Sequence, residues 1–293
     1  MKNFRSLLLF ISCVFILLGS NSCTKEESQE KEINKTPNLQ ATGSSANDIL
    51  SNTNFDKMVI EIAHVSGFRP SQETISQFTD FLRQYTFKQD IEVQYLVLES
   101  SNEEDFTLEE IVDLENENRT AYNDGRTLAI YIYFADAPSE GDDMTEGLVT
   151  VGAVYRNTSM VIYEDTIIRL ASQSSVISVT DIESATLNHE FGHLFGLVDL
   201  GTRMVNDHET QSENSDGELV GDNHCNVEGC LMRRELQLGR RTGKSNIADT
   251  SLKSACNLSG TSMMQLLQSK TGKRNTVDLG AECVLDLKGN GGR

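Results

Sequence analysis

The stretch 186–201, "TLNHEFGHLFGLVDLG", decides how the chain is read. His189 and His193 stand four residues apart, so on an α-helix both imidazoles project from one face and can share one metal ion. Glu190 lies beside the first of them, placed to take a proton from a water on that ion. Gly196 is the expected helix stop, because glycine adopts the left-handed backbone that ends helices. Gly192, inside the helix, costs about 1 kcal/mol against alanine unless it permits a close approach. A catalytic zinc takes three protein ligands and keeps one position open. Two are visible. Three residues compete to be the third: Asp199 just past the glycine, His208 in the polar loop "MVNDHETQ" (204–211), and His224 in "HCNVEGCLM" (224–232).

Upstream, Thr180 and Glu183 have capping-box spacing, so the helix is expected to begin just after Thr180. Before it, "KMVIEIAHV" (57–65), "IEVQYLVLE" (91–99) and "TLAIYIYFA" (127–135) read as strands, the last apolar enough to be central and covered on both faces. "SQETISQFTDFLRQYTF" (71–87) carries apolar residues at helical spacing, and 107–118 is a shorter acidic helix. "GLVTVGAVY" (147–155) and "SMVIYE" (159–164) are strands joined by a turn at Arg156-Asn157-Thr158. This order predicts an α/β fold whose mixed sheet has an antiparallel excursion near one edge. His64, in the first strand, is read as a packed strand residue rather than a ligand.

The N-terminus reads as an address. Lys2 and Arg5 precede an apolar run, Leu7 to Leu18, that is too short to span a bilayer, so residues 1–22 are expected to be a signal peptide. Cys23 follows "LGSNS" and resembles the lipidated first residue of a bacterial lipoprotein. Thr24-Lys25-Glu26-Glu27 resembles a tag for the outer surface. An exported, surface-exposed outer-membrane lipoprotein follows from these resemblances, touching the membrane only through its lipid. Polar residues from 23 to 52 read as a tether, and 53–293 as one domain with a small C-terminal lobe from about 201.

The formal charge of −19 becomes −21 without Lys2 and Arg5, and such a surface repels nucleic acid and anionic membrane. No phosphate-binding glycine loop, G-x-S-x-G or dinucleotide fingerprint is present. A structural Ca2+ at an acidic loop (103–105 or 140–143) lacks EF-hand spacing, and solvated loops are the better reading. Six cysteines occur. With Cys13 in the leader and Cys23 lipidated, Cys225, Cys230, Cys256 and Cys283 remain. They suit two disulfides in an exported protein or, in the competing reading, one structural zinc.

H-E-x-x-H-x-x-G after this order of elements resembles the metzincin metalloproteases, over about residues 55–235. The resemblance implies a zincin-like α/β fold with a twisted mixed sheet, an active-site helix, and an edge strand that binds substrate backbone antiparallel; 147–155 is in position for that strand. It implies one catalytic Zn2+, Glu190 as general base, a bend after Gly196 that returns a third ligand, and a Met-containing turn beneath the metal. Asp occupies the third position in some members, which favours Asp199 on spacing. "HCNVEGCLM" is similar to the archaemetzincin signature. There the third His is followed by Cys, four residues, Cys, one residue and Met, which makes His224 the expected ligand and Met232 the turn residue. In those proteins the cysteine pair joins a later C-x-x-C around a second zinc. This chain has no C-x-x-C, so the expectation is disulfides, Cys225–Cys230 and Cys256–Cys283. Arg233 and Arg234 follow the Met and are read as surface charge.

The expected activity is zinc-dependent peptide-bond hydrolysis on protein or peptide substrates. The alternatives are a surface binding lipoprotein that keeps the fold without catalysis, against which the intact Glu190 argues, and a metal-dependent amidase acting on cell-wall or other non-protein amides.

Overall fold

The computed structural model describes residues 33–143, 149–214, 217–233, 256–270 and 277–293. The expected signal peptide and Cys23 lie outside them. Residues 34–293 cluster as one compact unit. In chain order its elements are a 3-10 turn (Thr36–Asn38), α1 (Ala46–Leu50), β1 (Lys57–Val65), α2 (Gln72–Tyr85), β2 (Asp90–Leu98), α3 (Leu108–Asn118), β3 (Thr127–Phe134), β4 (Thr150–Arg156), β5 (Ser159–Ile162), α4 (Glu164–Ser172), α5 (Val179–Leu194), β6 (Glu209–Glu213), β7 (Leu219–Cys225), β8 (Cys256–Ser259), α6 (Gly260–Lys270) and α7 (Ala281–Gly289).

The main sheet has six strands in the order β2-β1-β3-β5-β4-β8. β2, β1, β3 and β5 are parallel, whereas β4 runs antiparallel to β5 and to β8. Alternation within β3 builds both faces. Leu128, Ile130, Ile132 and Phe134 join the large core with Phe78, Phe81 and Leu82 of α2 and Leu187, Phe191 and Leu194 of α5. Tyr131 and Tyr133 turn the other way, onto Ile111 and Val112 of α3 and Phe106. The fold is thus mixed α/β with a mostly parallel central sheet. β6 and β7 form a separate antiparallel pair within the polar segment after α5.

Four expectations change. The segment expected to be a tether is ordered from residue 34, and Ile49 and Leu50 are completely buried in the main core. Asn38, also buried, donates through Nδ2 to the Ala129 carbonyl (3.0 Å), and Asn157 Nδ2 donates to the Pro37 carbonyl (2.8 Å). Polar composition hid this because the attachment is made by specific amide bonds and few apolar residues. Second, the described residues beyond 201 share the main core, through Cys225, Leu231, Met232, Cys283 and Leu287, and form no separate core among themselves. Third, a helix, α4, follows Ile162 where the strand reading ran to residue 164. Fourth, β4 is not an edge strand, since β8 pairs with its outer side. No described helix is long and apolar enough to cross a membrane.

Candidate metal centre

Helix α5 starts two residues earlier than its sequence suggested. Ser178 is the N-cap: its Oγ accepts from the Asp181 N–H (3.2 Å), and Asp181 Oδ2 accepts from the Ser178 N–H (2.8 Å). Glu183 is not free to cap, because it is buried, accepting from the Thr74 hydroxyl. At the other end Gly196 has φ +71° and is followed by Val198 (+54°) and Asp199 (+63°), also left-handed. A β-branched residue in that region is strained. Here the turn is held by Thr202, whose Oγ1 donates to the Phe195 carbonyl (2.6 Å) and whose N–H donates to the Gly196 carbonyl (2.9 Å).

The segment that carries β6 and β7 then returns His224 to the helix. One ring nitrogen from each of His189, His193 and His224 lies within 4.8 Å of the others, and all three residues are buried. Asn223, at φ +61°, turns the chain just before His224. The orientation of each ring is set from behind. His189 Nδ1 donates to the Leu231 carbonyl (2.8 Å), and His224 Nδ1 donates to the Asp222 carbonyl (2.7 Å), so Nε2 is the nitrogen each can offer a metal. His193 Nε2 is 3.2 Å from His189 Nε2. Two nitrogens bound to one tetrahedral zinc are about 3.3 Å apart, so the spacing fits an ion between them.

Met232 packs against the same helix, at Gly192. A Cβ at Gly192 would come within 2.2 Å of Met232 Sδ, so only glycine lets the methionine approach. The Cys225 N–H donates to the Met232 carbonyl (2.8 Å), closing the 225–232 loop under the helix.

Burial shapes the titration of the site. His189 is pushed down to about 3, mainly by burial and then by the charge of His224, and burial likewise holds His193 well below the usual histidine range. Both imidazoles are therefore neutral, the form that binds metals. Glu190 is driven well above the carboxylate range by burial, opposed by the nearby Val154 backbone amide, and neither carboxylate oxygen has a hydrogen-bond partner. An unpartnered, fully buried carboxyl beside three buried imidazoles fits a cation there, which would hold it ionised.

The other candidates are elsewhere. Asp199 is exposed and outside the histidine group. His64 is buried in β1, its Nδ1 bonding the Val65 carbonyl (3.0 Å). His208 belongs to a second group. One atom from each of His208, Cys225 and Cys283 falls within 4.8 Å of the others, and Cys230 Sγ is 3.6 Å from Cys283 Sγ. The expected disulfides are not found: Cys225, Cys230 and Cys283 are free thiols, and the Cys256 side chain lies outside what the structure describes. A disulfide needs sulfurs about 2.05 Å apart, whereas α7 brings Cys283 to the Cys225–Cys230 loop as a third thiol. Asp286 accepts from His208 Nε2 (2.7 Å), leaving a buried Nδ1 with no partner. The Val227 and Gly280 N–H groups point at Cys225 Sγ (3.4 Å) and Cys230 Sγ (3.1 Å). Cys230 is held below the usual thiol range by hydrogen bonds with the neighbouring thiols of Cys225 and Cys283. The competing reading of the cysteines as one structural zinc named three of these residues, but not His208 or Asp286, because the group is drawn from three separate segments and neither residue carries a signal of its own.

No family model and no curated protein matches the chain. Among solved structures it is similar to that of archaemetzincin from Methanopyrus kandleri, with a TM-score of 0.44 and 14% identity over 80% of this chain and 96% of that one. A likeness that distant transfers no chemistry to this chain.

Proposed function

We propose that the protein is a zinc-dependent peptide-bond hydrolase of metzincin type, carried outside the cytoplasm on a lipid at Cys23. The observation that carries this reading is the convergence of three buried imidazoles beside a buried Glu190 that has no partner. His189, His193 and His224 would hold the zinc. When bound, zinc acidifies water and polarises a carbonyl. Glu190 takes the proton of the attacking water as general base and returns it to the leaving amine. Leu231 and Asp222 hold the His189 and His224 imidazoles through their carbonyls, and Met232 packs against the helix at Gly192. A structural site would have no use for an unpaired carboxyl at this position, which favours hydrolysis over metal binding alone.

Cys225, Cys230, Cys283 and His208 fit a second, structural zinc. Three thiols and an imidazole make a closed ligand set, the free Nδ1 of His208 faces it, and Asp286 orients the ring from behind.

The test is zinc content and peptidase activity on the same preparations. Glu190→Gln is expected to keep its zinc and lose activity at least about a hundredfold. His224→Ala is expected to lose one equivalent and all activity, His208→Ala to lose one equivalent from the other site, and Asp199→Ala to keep both. Full activity in Glu190→Gln, or full zinc in His224→Ala, would overturn the assignment.

A further inference from the structure

β4 passes directly over the catalytic carboxyl. An ideal Cβ on Gly152 would lie 3.0 Å from Glu190 Cγ and 3.2 Å from its Oε1. One side of β4 is bonded to β5. Without β8, its other side would be a sheet edge at which an extended peptide could add as an antiparallel strand with its backbone beside Glu190. That side is taken. β8 lies along it antiparallel, pairing Thr150 with Ser259, Gly152 with Leu258, Ala153 with Asn257 and Val154 with Cys256, and the Gly260 N–H extends the ladder to the Val149 carbonyl (2.7 Å). The histidines and Glu190 are at the same time shut away: His189, Glu190 and His193 are 0% exposed and His224 3%. A substrate cannot reach Glu190 unless something moves.

We propose, resting on the hydrolase reading above, that β8 is an internal occupant of the substrate edge, and that a peptide enters by displacing it from β4. The element is suited to leave. It has four residues and, among the described residues, a single strand neighbour, and its pairing is interrupted by a bulge between Thr150 and Gly152. Short strands held on one side are marginal. The pivot is Gly260, where a Cβ would come within 2.4 Å of Val149 Cγ2 and 2.7 Å of Leu170 Cδ1, so β8 reaches β4 only because this residue has no side chain.

The experiment is residue-resolved amide exchange on the zinc-loaded full chain, with and without a saturating extended tripeptide hydroxamate, together with hydroxamate affinity for the wild type, Leu258→Pro and Gly260→Val. Displacement predicts that the hydroxamate speeds exchange at Asn257–Gly260 at least about tenfold while β4 stays protected. Both variants are expected to bind it at least about tenfold more tightly. Binding of the hydroxamate with Asn257–Gly260 still protected would overturn the proposal alone and leave the hydrolase reading standing. If zinc is held, β8 is released in the variants and no form binds the hydroxamate, the hydrolase reading fails and takes this proposal with it.

Discussion

Gly192 shows how one residue can link a sequence signal to a site. Its place inside a helix is a local cost that the sequence cannot justify, and the justification is Met232, 2.2 Å from where a Cβ would sit. Gly192→Ala should therefore lower stability by about 1–3 kcal/mol, the range for overpacking a filled core. Chemical denaturation would measure this, and Met232→Ala in the same chain should recover part of the loss. The free thiols make a second residue-scale prediction. With zinc present, alkylation followed by mass analysis should find Cys225, Cys230 and Cys283 protected, and after chelation all three should react. His208→Ala should expose them without chelation, because the imidazole completes the set. Modification of Cys225 and Cys283 at equal rates with and without metal would remove the second site.

At the scale of elements, the sequence was most readable where periodicity carries the information. The boundaries of β1, β2, β3, α2 and α3 fall within a residue or two of the expected ones, because each presents its apolar residues at period two or near 3.6. Caps were less secure. Two acceptable capping boxes overlap at Ser178 and Thr180, and the choice between them depends on what surrounds Glu183, which lies in another part of the molecule. The segment 34–52 is the clearest miss. Gly43 has φ +78°, and its Cα sits so close to the Leu200 carbonyl that any side chain would collide with it. The N-terminal segment therefore braces the turn that follows the active helix. A chain that starts at residue 53 loses Ile49, Leu50, Asn38 and this brace. Burial of the two aliphatic side chains alone is worth about 3–6 kcal/mol. Such a chain is expected to be insoluble or to melt far below one that starts at residue 33, which calorimetry of the two would show.

At the scale of the whole molecule, stability should fall toward alkaline pH. Glu164 is buried against Glu183 and pushed up to about 10, by burial first and by the Glu183 charge second, so the folded protein holds its proton at neutrality. The folded form thus binds more protons than the unfolded one above the ordinary carboxylate range. This group's contribution is complete below about pH 4.5 and is lost as pH rises toward about 10. Glu164→Gln keeps a donor toward Glu183 without the titration, and is expected to stabilise the protein by about 1–3 kcal/mol at pH 8 and by almost nothing at pH 4. Melting curves across that range would check the sign, and a variant less stable than wild type at pH 8 would contradict it. What the sequence determined by itself was the helix that carries His189, Glu190 and His193, because their spacing is local and a helix fixes relative positions over one turn. It also pointed to His224 and Met232 through a compact pattern of residues. Only the tertiary structure decided which distant side chains share a space. It brought His224 to the other two histidines and left Asp199 outside, gathered His208 with three thiols, and laid β8 along β4. Those are long-range contacts, set by the packing of separate elements around one core, and no local spacing records them.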